Sequence, residues 1–371
     1  MDVIGIIAEY NPFHNGHIYH INKIKELYPN SLILLVLNGY FLERGEVSTE
    51  SVLNKTKLAL EHDVDIVIEL PFIFGSNSAD IFSEASIELL HEMKVNKIIF
   101  GSESDDVNKL INLAKKQLDT NYNDSVKQYL ELGINYPTAL NNALKHDIKT
   151  PNDILGLTYI KSILKNNYNI EPITIKRTND YHDTISNDTI ISASNIRKKI
   201  NNNEDILNYL PTDEYINTID YDLLFNILKY KIITDKDLSK YLTVDEGIEN
   251  RLKKVINECN NINDLINKTK TKRYTYNRIN RMLIHILIGL TKEDKEKIKH
   301  NEYIRVLGFN NKGKEYIRKI KKDTNIPIVS SLKNVNSLIK DYEVKAYNIY
   351  DLLVNENILE FESSNKPIYK D

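Results

Sequence analysis

The chain has 371 residues, 41% of them hydrophobic and 27% charged, a globular composition long enough for two cores. Its one cysteine, Cys259, excludes an internal disulfide and a cysteine-built zinc site and suits a reducing, cytoplasmic location. The net charge of −3 hides an uneven distribution: from Lys268 to Lys340 there are 19 Lys and Arg against 6 Asp and Glu. That late excess of cations fits either a module that meets a polyanion or a solvated, lysine-rich helical face.

The N-terminus opens directly on "VIGIIAEY", which has no basic leader and is too short for a signal-peptide core or a membrane span, so a soluble protein with no membrane partner is expected. Short apolar runs then alternate with amphipathic stretches. Strands are predicted at Val3–Ala8, Leu32–Leu37, Asp65–Leu70, Lys97–Phe100 and Ile173–Lys176. Helices are predicted at Ile18–Leu27, Glu50–Glu61, Ala79–Met93, Val107–Leu118 and Asp153–Leu164. Apolar strands separated by helices give an α/β fold, a doubly wound parallel sheet buried on both faces. Such sheets bind ligands beyond the carboxyl ends of their strands, so "EYNPFHNGH", "NGYFLERGE", "ELPFIFGSNSAD" and "GSES" should open on one edge. After about residue 200 helical patterns such as "RMLIHILIGL" dominate. The Asn-rich stretch 201–205 is the expected seam between a domain at 1–200 and a mainly helical one at 201–371.

The first loop, "EYNPFHNGHIYH", holds His14, His17 and His20, three of the chain's nine histidines. A metal site, a polar loop and a phosphate-handling device are the three readings. No acidic partner of the HExxH kind lies among the histidines, so no metal is expected. The phosphate reading uses more of the stretch. Pro12 stiffens the exit from the strand, Gly16 permits close backbone approach, and the following helix offers unpaired N–H groups and a positive dipole end. Two imidazoles at its first turn can donate to a phosphate that gains charge in a transition state.

"HNGH" at His14–His17 resembles the HxGH signature of the nucleotidyltransferase superfamily, whose members attack the α-phosphate of ATP and release pyrophosphate. "IISASNIRKKI", with Ser192, Ser194 and Arg197, resembles the superfamily's second element, ISSTxxR, in its expected place after the last strand. Serines there cap a helix, and arginine forks onto β- and γ-phosphates. Further stretches, among them "AEYNPFHNGHIYH", "FLERGE", "DIVIELPF", "PNDILGLTYIK", "YHD", "KTKRYTYNRINRMLIHILIG" and "YIRVLGFNNKGKE", resemble the bacterial tRNA(Met) cytidine acetate ligase family.

That resemblance implies N4-acetylcytidine formation at the wobble position of elongator tRNA(Met) from acetate and ATP, the latter accompanied by Mg2+. Acetyl-adenylate and pyrophosphate form first, and cytidine N4 then takes the acetyl group and expels AMP. It implies His14, His17 and Arg197 as catalytic residues. The implied ATP site is Ile7, Ala8, Glu9, Tyr10, Asn11, Pro12, Phe13, His14, Asn15, Gly16, His17, Ile18, Tyr19 and His20, with Gly101, Asn152, Arg177, Ser192 and Ser194. Gly101 either leaves room for a ribose or adenine or simply makes a turn. Asn152 either reads an adenine edge or caps the helix expected from Asp153. His182 and Asp183 position Arg177 or the acyl group, or form a local loop, and Glu43 and Arg44 should face the same cleft. At the start of the second helix the sequence reads "SVLNKTKLAL", with Val52 and Lys55 where relatives tend to carry lysine and arginine, and no role is assigned to a lysine there.

Lys268, Lys270, Lys272, Arg273, Arg278 and Arg281 crowd one stretch with Tyr274 and Tyr276, cations for phosphates and rings for unpaired bases. They are the expected tRNA contacts, whereas His285, inside an apolar helix, is expected to be an interior histidine. No stable protein partner is readable. Two other functions compete: a small-molecule adenylyltransferase of cofactor metabolism, which would not need the long basic region, and a non-enzymatic nucleotide or RNA binder, which would not need intact His14, His17 and Arg197.

Overall fold

The computed structural model describes residues 1–144, 150–177, 189–355, 358 and 366–371. Tyr181, His182 and Asp183 lie outside them. Eight strands form one sheet: β1 (Val3–Ala8), β2 (Leu32–Asn38), β3 (Ile66–Leu70), β4 (Lys97–Ser102), β5 (Glu171–Lys176), β6 (Ile304–Asn310), β7 (Ile328–Val329) and β8 (Ile368–Lys370). Their order is β5-β4-β1-β2-β3-β6-β7, with β8 beside β6. β1 to β5 run parallel, in register Ile4↔Ile33 for β1 and β2 and Ile99↔Ile173 for β4 and β5. Every residue of β2 and β3 is buried, as expected of strands covered by helices on both faces.

The five predicted strands and five predicted helices are all present, β1 with the predicted bounds and the others with boundaries shifted by one to three residues. The helix α1 (Asn15–Leu27) begins three residues early because His14, a residue type outside the usual cap set, caps it. The second predicted helix is α2 (Val52–Glu61), capped by the Ser51 hydroxyl. The helices Thr120–Glu131 and Tyr136–Leu144 are not among the expected elements.

The later half is mainly helical, as read, but it also adds three strands to the sheet. β6 lies antiparallel beside β3, pairing Ile66 with Phe309 and Val67 with Gly308, and β7 and β8 extend from it in parallel. One apolar cluster therefore runs through both halves, from Ile4 and Leu34 to Leu283 and Tyr350. The helix Leu338–Val354 closes this side with Tyr342, Tyr347 and Tyr350, all buried, and the Tyr40 ring lies 4.2 Å from that of Tyr350.

A buried charge joins the halves at this seam. Arg305 of β6 donates to Glu69 of β3 at 3.0 Å, and the Tyr347 hydroxyl donates to the same carboxylate at 2.6 Å. Arg305→Met would strip the guanidinium from a buried carboxylate, and the expected cost is about 3–5 kcal/mol, read as a lower urea midpoint. A midpoint equal to wild type would show that this pair does not anchor the added strands.

Candidate functional site

The strand order places a topological switch point between β1 and β4: the chain proceeds from β1 outward through β2 and β3, then returns to β4 on the other side. The loop 9–14 leaves the end of β1, and Gly101 lies near the end of β4, so both flank this crevice. Ile7 and Ala8 end β1, and Asn15, Gly16, His17, Ile18, Tyr19 and His20 form the first half of α1.

The two signature histidines are fixed by backbone donors. Gly16 N–H donates to His14 Nδ1 at 2.9 Å, and His14 N–H donates to His17 Nδ1 at 3.2 Å, a reciprocal cap of the helix start. The ring centroids are 3.9 Å apart. An Nδ1 that accepts must carry no proton, so in the neutral ring the proton sits on Nε2. Both Nε2–H groups are then donors, and neither makes a hydrogen bond among the described residues. Neutrality follows from the surroundings. Burial, reinforced by the Arg177 and Arg197 guanidinium groups, pushes His14 down to about 3. Burial, with His14 and Arg177 nearby, holds His17 well below the ordinary imidazole range, and burial and Arg177 lower His20 to about 4.

Tyr10 and Phe13 support these rings. The Tyr10 ring is 4.5 Å from His17 and 4.8 Å from Phe13, and Phe13 stacks on His62. The Pro12 peptide is cis, and Tyr10 adopts a left-handed φ of 48°. Phe13 N–H donates to the buried Glu50 carboxylate at 2.7 Å, and burial raises that carboxyl to about 7. Gly16 serves its neighbour: a Cβ there would stand 2.6 Å from the His14 ring.

The second element closes on the first. Ser192 caps the helix Ala193–Asn201, and its hydroxyl lies 3.0 Å from that of Ser194. Arg197, one turn on, donates to the Asn11 carbonyl and to Glu46, each at 2.7 Å. Asn15 donates to the Thr189 and Asn208 carbonyls, tying α1 to the segments on either side of this helix. Arg177 follows β5, and its aliphatic stem runs along Gly101, where a Cβ would lie 3.4 Å from it. Its Nε is buried with no hydrogen-bond partner among the described residues. The helix Pro151–Lys165 starts two residues before the expected Asp153, so Asn152 lies in its first turn. There its side chain donates to Glu103 at 2.6 Å, and Glu103 also accepts from Asp153 N–H.

Several site residues carried no sequence signal of their own. Lys55 is fully buried and donates to the carbonyls of Glu9, Asn38 and Gly39 at 2.8 to 3.0 Å, gathering the ends of β1 and β2. Glu9 accepts from Asn38 and from Glu43 N–H, while Thr49 donates to Asn11 through its N–H and its hydroxyl. The strap 39–49 thereby carries Glu43, Glu46 and Thr49 against the first loop. The sequence shows only a lysine among apolar residues and scattered polar ones.

The same strap meets the basic segment. Arg281 donates to the Glu43 carbonyl and carboxylate at 3.2 and 3.1 Å, Asn280 donates to the Arg44 carbonyl, and Gly45, at φ +75°, packs on their backbone. Burial lifts the Glu43 carboxyl to about 7, against the opposing pull of Arg281. Arg281 is thus committed inside the chain. Of the other expected contacts, Lys268 pairs with Asp264, Arg273 with Glu246, and Arg278 lies over the Tyr274 ring. Tyr274 is buried rather than available for stacking, Tyr276 is exposed, and Lys270 and Lys272 are exposed with no ion pair among the described residues. His285 is an interior histidine bonded to Ser76 and Leu242 carbonyls. Among the described residues no group of three or more His, Cys, Asp or Glu side chains is placed to hold a metal ion.

The sequence profile described as HIGH Nucleotidyl Transferase matches residues 1–366. The tRNA(Met) cytidine acetate ligase of Geobacillus sp. (strain WCH70) is 37% identical over 99% of this chain and 100% of its own. The chain belongs to the tRNA(Met) cytidine acetate ligase family. Relatives of the same name from Caldicellulosiruptor saccharolyticus and Bacillus subtilis (strain 168) are 38% and 35% identical, covering 100% and 96% of this chain and 99% and 93% of theirs. The crystal structure of Thermotoga maritima TmcAL bound with alpha-thio ATP superimposes with a TM-score of 0.88 at 28% identity, over 100% of this chain and 99% of that one. Its apo form gives 0.91 at the same identity and coverage.

In this member of the ligase family the histidine pair depends on Gly16. Gly16→Ala should push the His14 ring off its backbone donor and lower turnover by about a hundredfold, measured as acetate-dependent ATP–pyrophosphate exchange. Unchanged exchange would mean that the ring's position is immaterial. The lowered imidazole values also set a pH signature. Below pH 6.5 the unfolded chain binds protons that folded His14 does not, so His14 removes stability as pH falls from about 6.5 toward about 3. The wild-type stability relative to His14→Asn should therefore decline through that window, by up to about 1.4 kcal/mol per pH unit. A pH-independent difference, measured by denaturant titration, would contradict the buried neutral ring.

Proposed function

We propose that this protein is an ATP-dependent ligase that forms N4-acetylcytidine at the wobble position of elongator tRNA(Met), with acetate as the acyl donor. One observation carries the reading: two imidazoles whose Nδ1 atoms accept backbone N–H groups, which leaves Nε2 to donate, stand at the N-terminus of α1, at the switch point of the sheet. The full-length likeness to ligases of that name supports the substrate assignment.

In the first step an acetate oxygen attacks the α-phosphorus, the bond to the bridging oxygen breaks, and pyrophosphate leaves with that electron pair. Negative charge grows on the non-bridging oxygens as the new bond forms. His14 and His17 donate from Nε2 to those oxygens, and the N-terminus of α1 adds its dipole. Because the rings are neutral and locked, they need no reorganisation as the charge develops. Arg177, Arg197, Ser192 and Ser194 hold the β- and γ-phosphates. Gly101 and Asn152 face the nucleoside, with Asn152 braced by Glu103. In the second step cytidine N4 attacks the acetyl carbonyl, loses a proton and displaces AMP. Mg2+ would travel with the triphosphate.

Residues 1–200 perform the adenylation and 201–371 bind the tRNA, in a cytoplasmic protein; no helix of the described residues is long and apolar enough to cross a membrane. Within the second part Lys268, Lys270, Lys272, Arg273 and Arg278 are the phosphate contacts.

Purified protein should convert ATP to AMP and pyrophosphate with acetate and tRNA, and add one acetyl mass to a cytidine. His17→Ala should lower exchange by about a hundred- to a thousandfold. Neutralising Lys270, Lys272 and Arg273 together should weaken tRNA binding and flatten its salt dependence. Adenylylation of a small phosphate compound with no acetyl on the tRNA would replace this reading with a cofactor-metabolism enzyme.

A further inference from the structure

A cleft of about 420 Å³ shares no lining residue with the histidine site. It lies between Gly133, which follows the helix Thr120–Glu131, and the start of the helix Ile248–Val255, with the turn 271–274 as its third wall. Three cations line it, Arg251, Lys272 and Arg273, against one carboxylate, Glu246. Arg251 lies outside the basic stretch legible in the sequence and reaches the cleft only through the packing of its helix.

The two arginines are held by internal contacts. Arg251 Nε donates to the Lys268 carbonyl at 3.0 Å, and its two terminal nitrogens make no hydrogen bond among the described residues. Arg273 spans the cleft, donating to Glu246 at 3.0 Å and to the Leu130 carbonyl at 3.4 Å. Beneath them the buried Tyr274 donates its hydroxyl to the Asp245 carbonyl at 2.7 Å, with Arg278 over its ring. Lys272 is exposed and makes no ion pair among the described residues.

We propose that this cleft seats one nucleotide of the bound tRNA, with its phosphodiester between Arg251 and Lys272 and a ribose hydroxyl or exocyclic amine donating to Glu246. The inference rests on the tRNA reading above. The volume lies within the range of about 300–1,000 Å³ of small-molecule sites, more than a bare phosphate fills. A free multiply charged anion would be repelled by Glu246, whereas a singly charged phosphodiester with neutral donors alongside satisfies both kinds of wall. Among the described residues an added Cβ at Gly133 would meet nothing within 4 Å, so this wall of the cleft is open at that point.

Binding of the full chain to unmodified elongator tRNA(Met) transcript, titrated against KCl, tests this with Arg251→Gln and Lys272→Gln. Each variant should weaken binding by about fivefold to tenfold and lower the salt slope by about 1. Thermal midpoints report whether each variant is folded; Lys272 is exposed, so its variant keeps the test valid even if Arg251→Gln unfolds. Wild-type affinity and salt slope in folded variants would overturn the proposal. So would variants that lose affinity for AMP alone while keeping that for tRNA. A wild-type chain that neither binds tRNA nor exchanges pyrophosphate would instead defeat the ligase reading itself.

Discussion

Two backbone N–H groups donating into imidazole Nδ1 atoms fix the geometry from which the candidate site is built. A histidine at the start of a helix has a choice of tautomers, and Gly16 N–H and His14 N–H remove that choice. The helix needs caps for its first N–H groups in any case. Here the caps are the two signature imidazoles, so local helix formation and orientation of their donors are one event. Burial, with Arg177 beside both rings and Arg197 beside His14, favours the uncharged form of each.

Around that pair, polar groups are spent on holding backbone. Lys55 gathers three carbonyls, Glu50 takes the Phe13 N–H, Asn11 receives Thr49 and its carbonyl receives Arg197. Each is a charged or polar side chain satisfying main chain that leaves the ends of parallel strands and would otherwise be buried unpaired. The cost of burying Lys55 is offset by three short carbonyl contacts. The strap 39–49 gains most from this arrangement, because it touches the first loop on one side and Asn280 and Arg281 on the other. A contact path from the helix Tyr276–Ile288, which the basic stretch leads into, to the first loop is therefore short: Arg281, Glu43, Glu9.

The later half is stitched into the sheet as well as packed on it. β6 pairs with β3, Arg305 and Tyr347 share the Glu69 carboxylate, and His285 bonds the Ser76 carbonyl beyond β3. "YIRVLGFN" gives little warning of this. It is short, contains an arginine that looks exposed until Glu69 is placed opposite, and joins the sheet through a partner more than two hundred residues away. Its period is that of any short apolar run, and only the vacant edge of β3 decides that it becomes a strand.

The sequence by itself determined the five parallel strands, their intervening helices and the two motifs that meet at the switch point. Those features are local: continuous apolar runs, helical periods, and histidines and serines at helix starts. The tertiary structure decided what depends on distant partners. It chose the tautomers of His14 and His17, gave Asn152 to Glu103, committed Arg281 to Glu43 and buried Tyr274, and it brought Arg251 to a cleft with Lys272. A sequence shows that a cation or a ring is present. Whether that group is spent inside the fold or left for a ligand is fixed by which carboxylate or carbonyl folding places within about 3 Å of it.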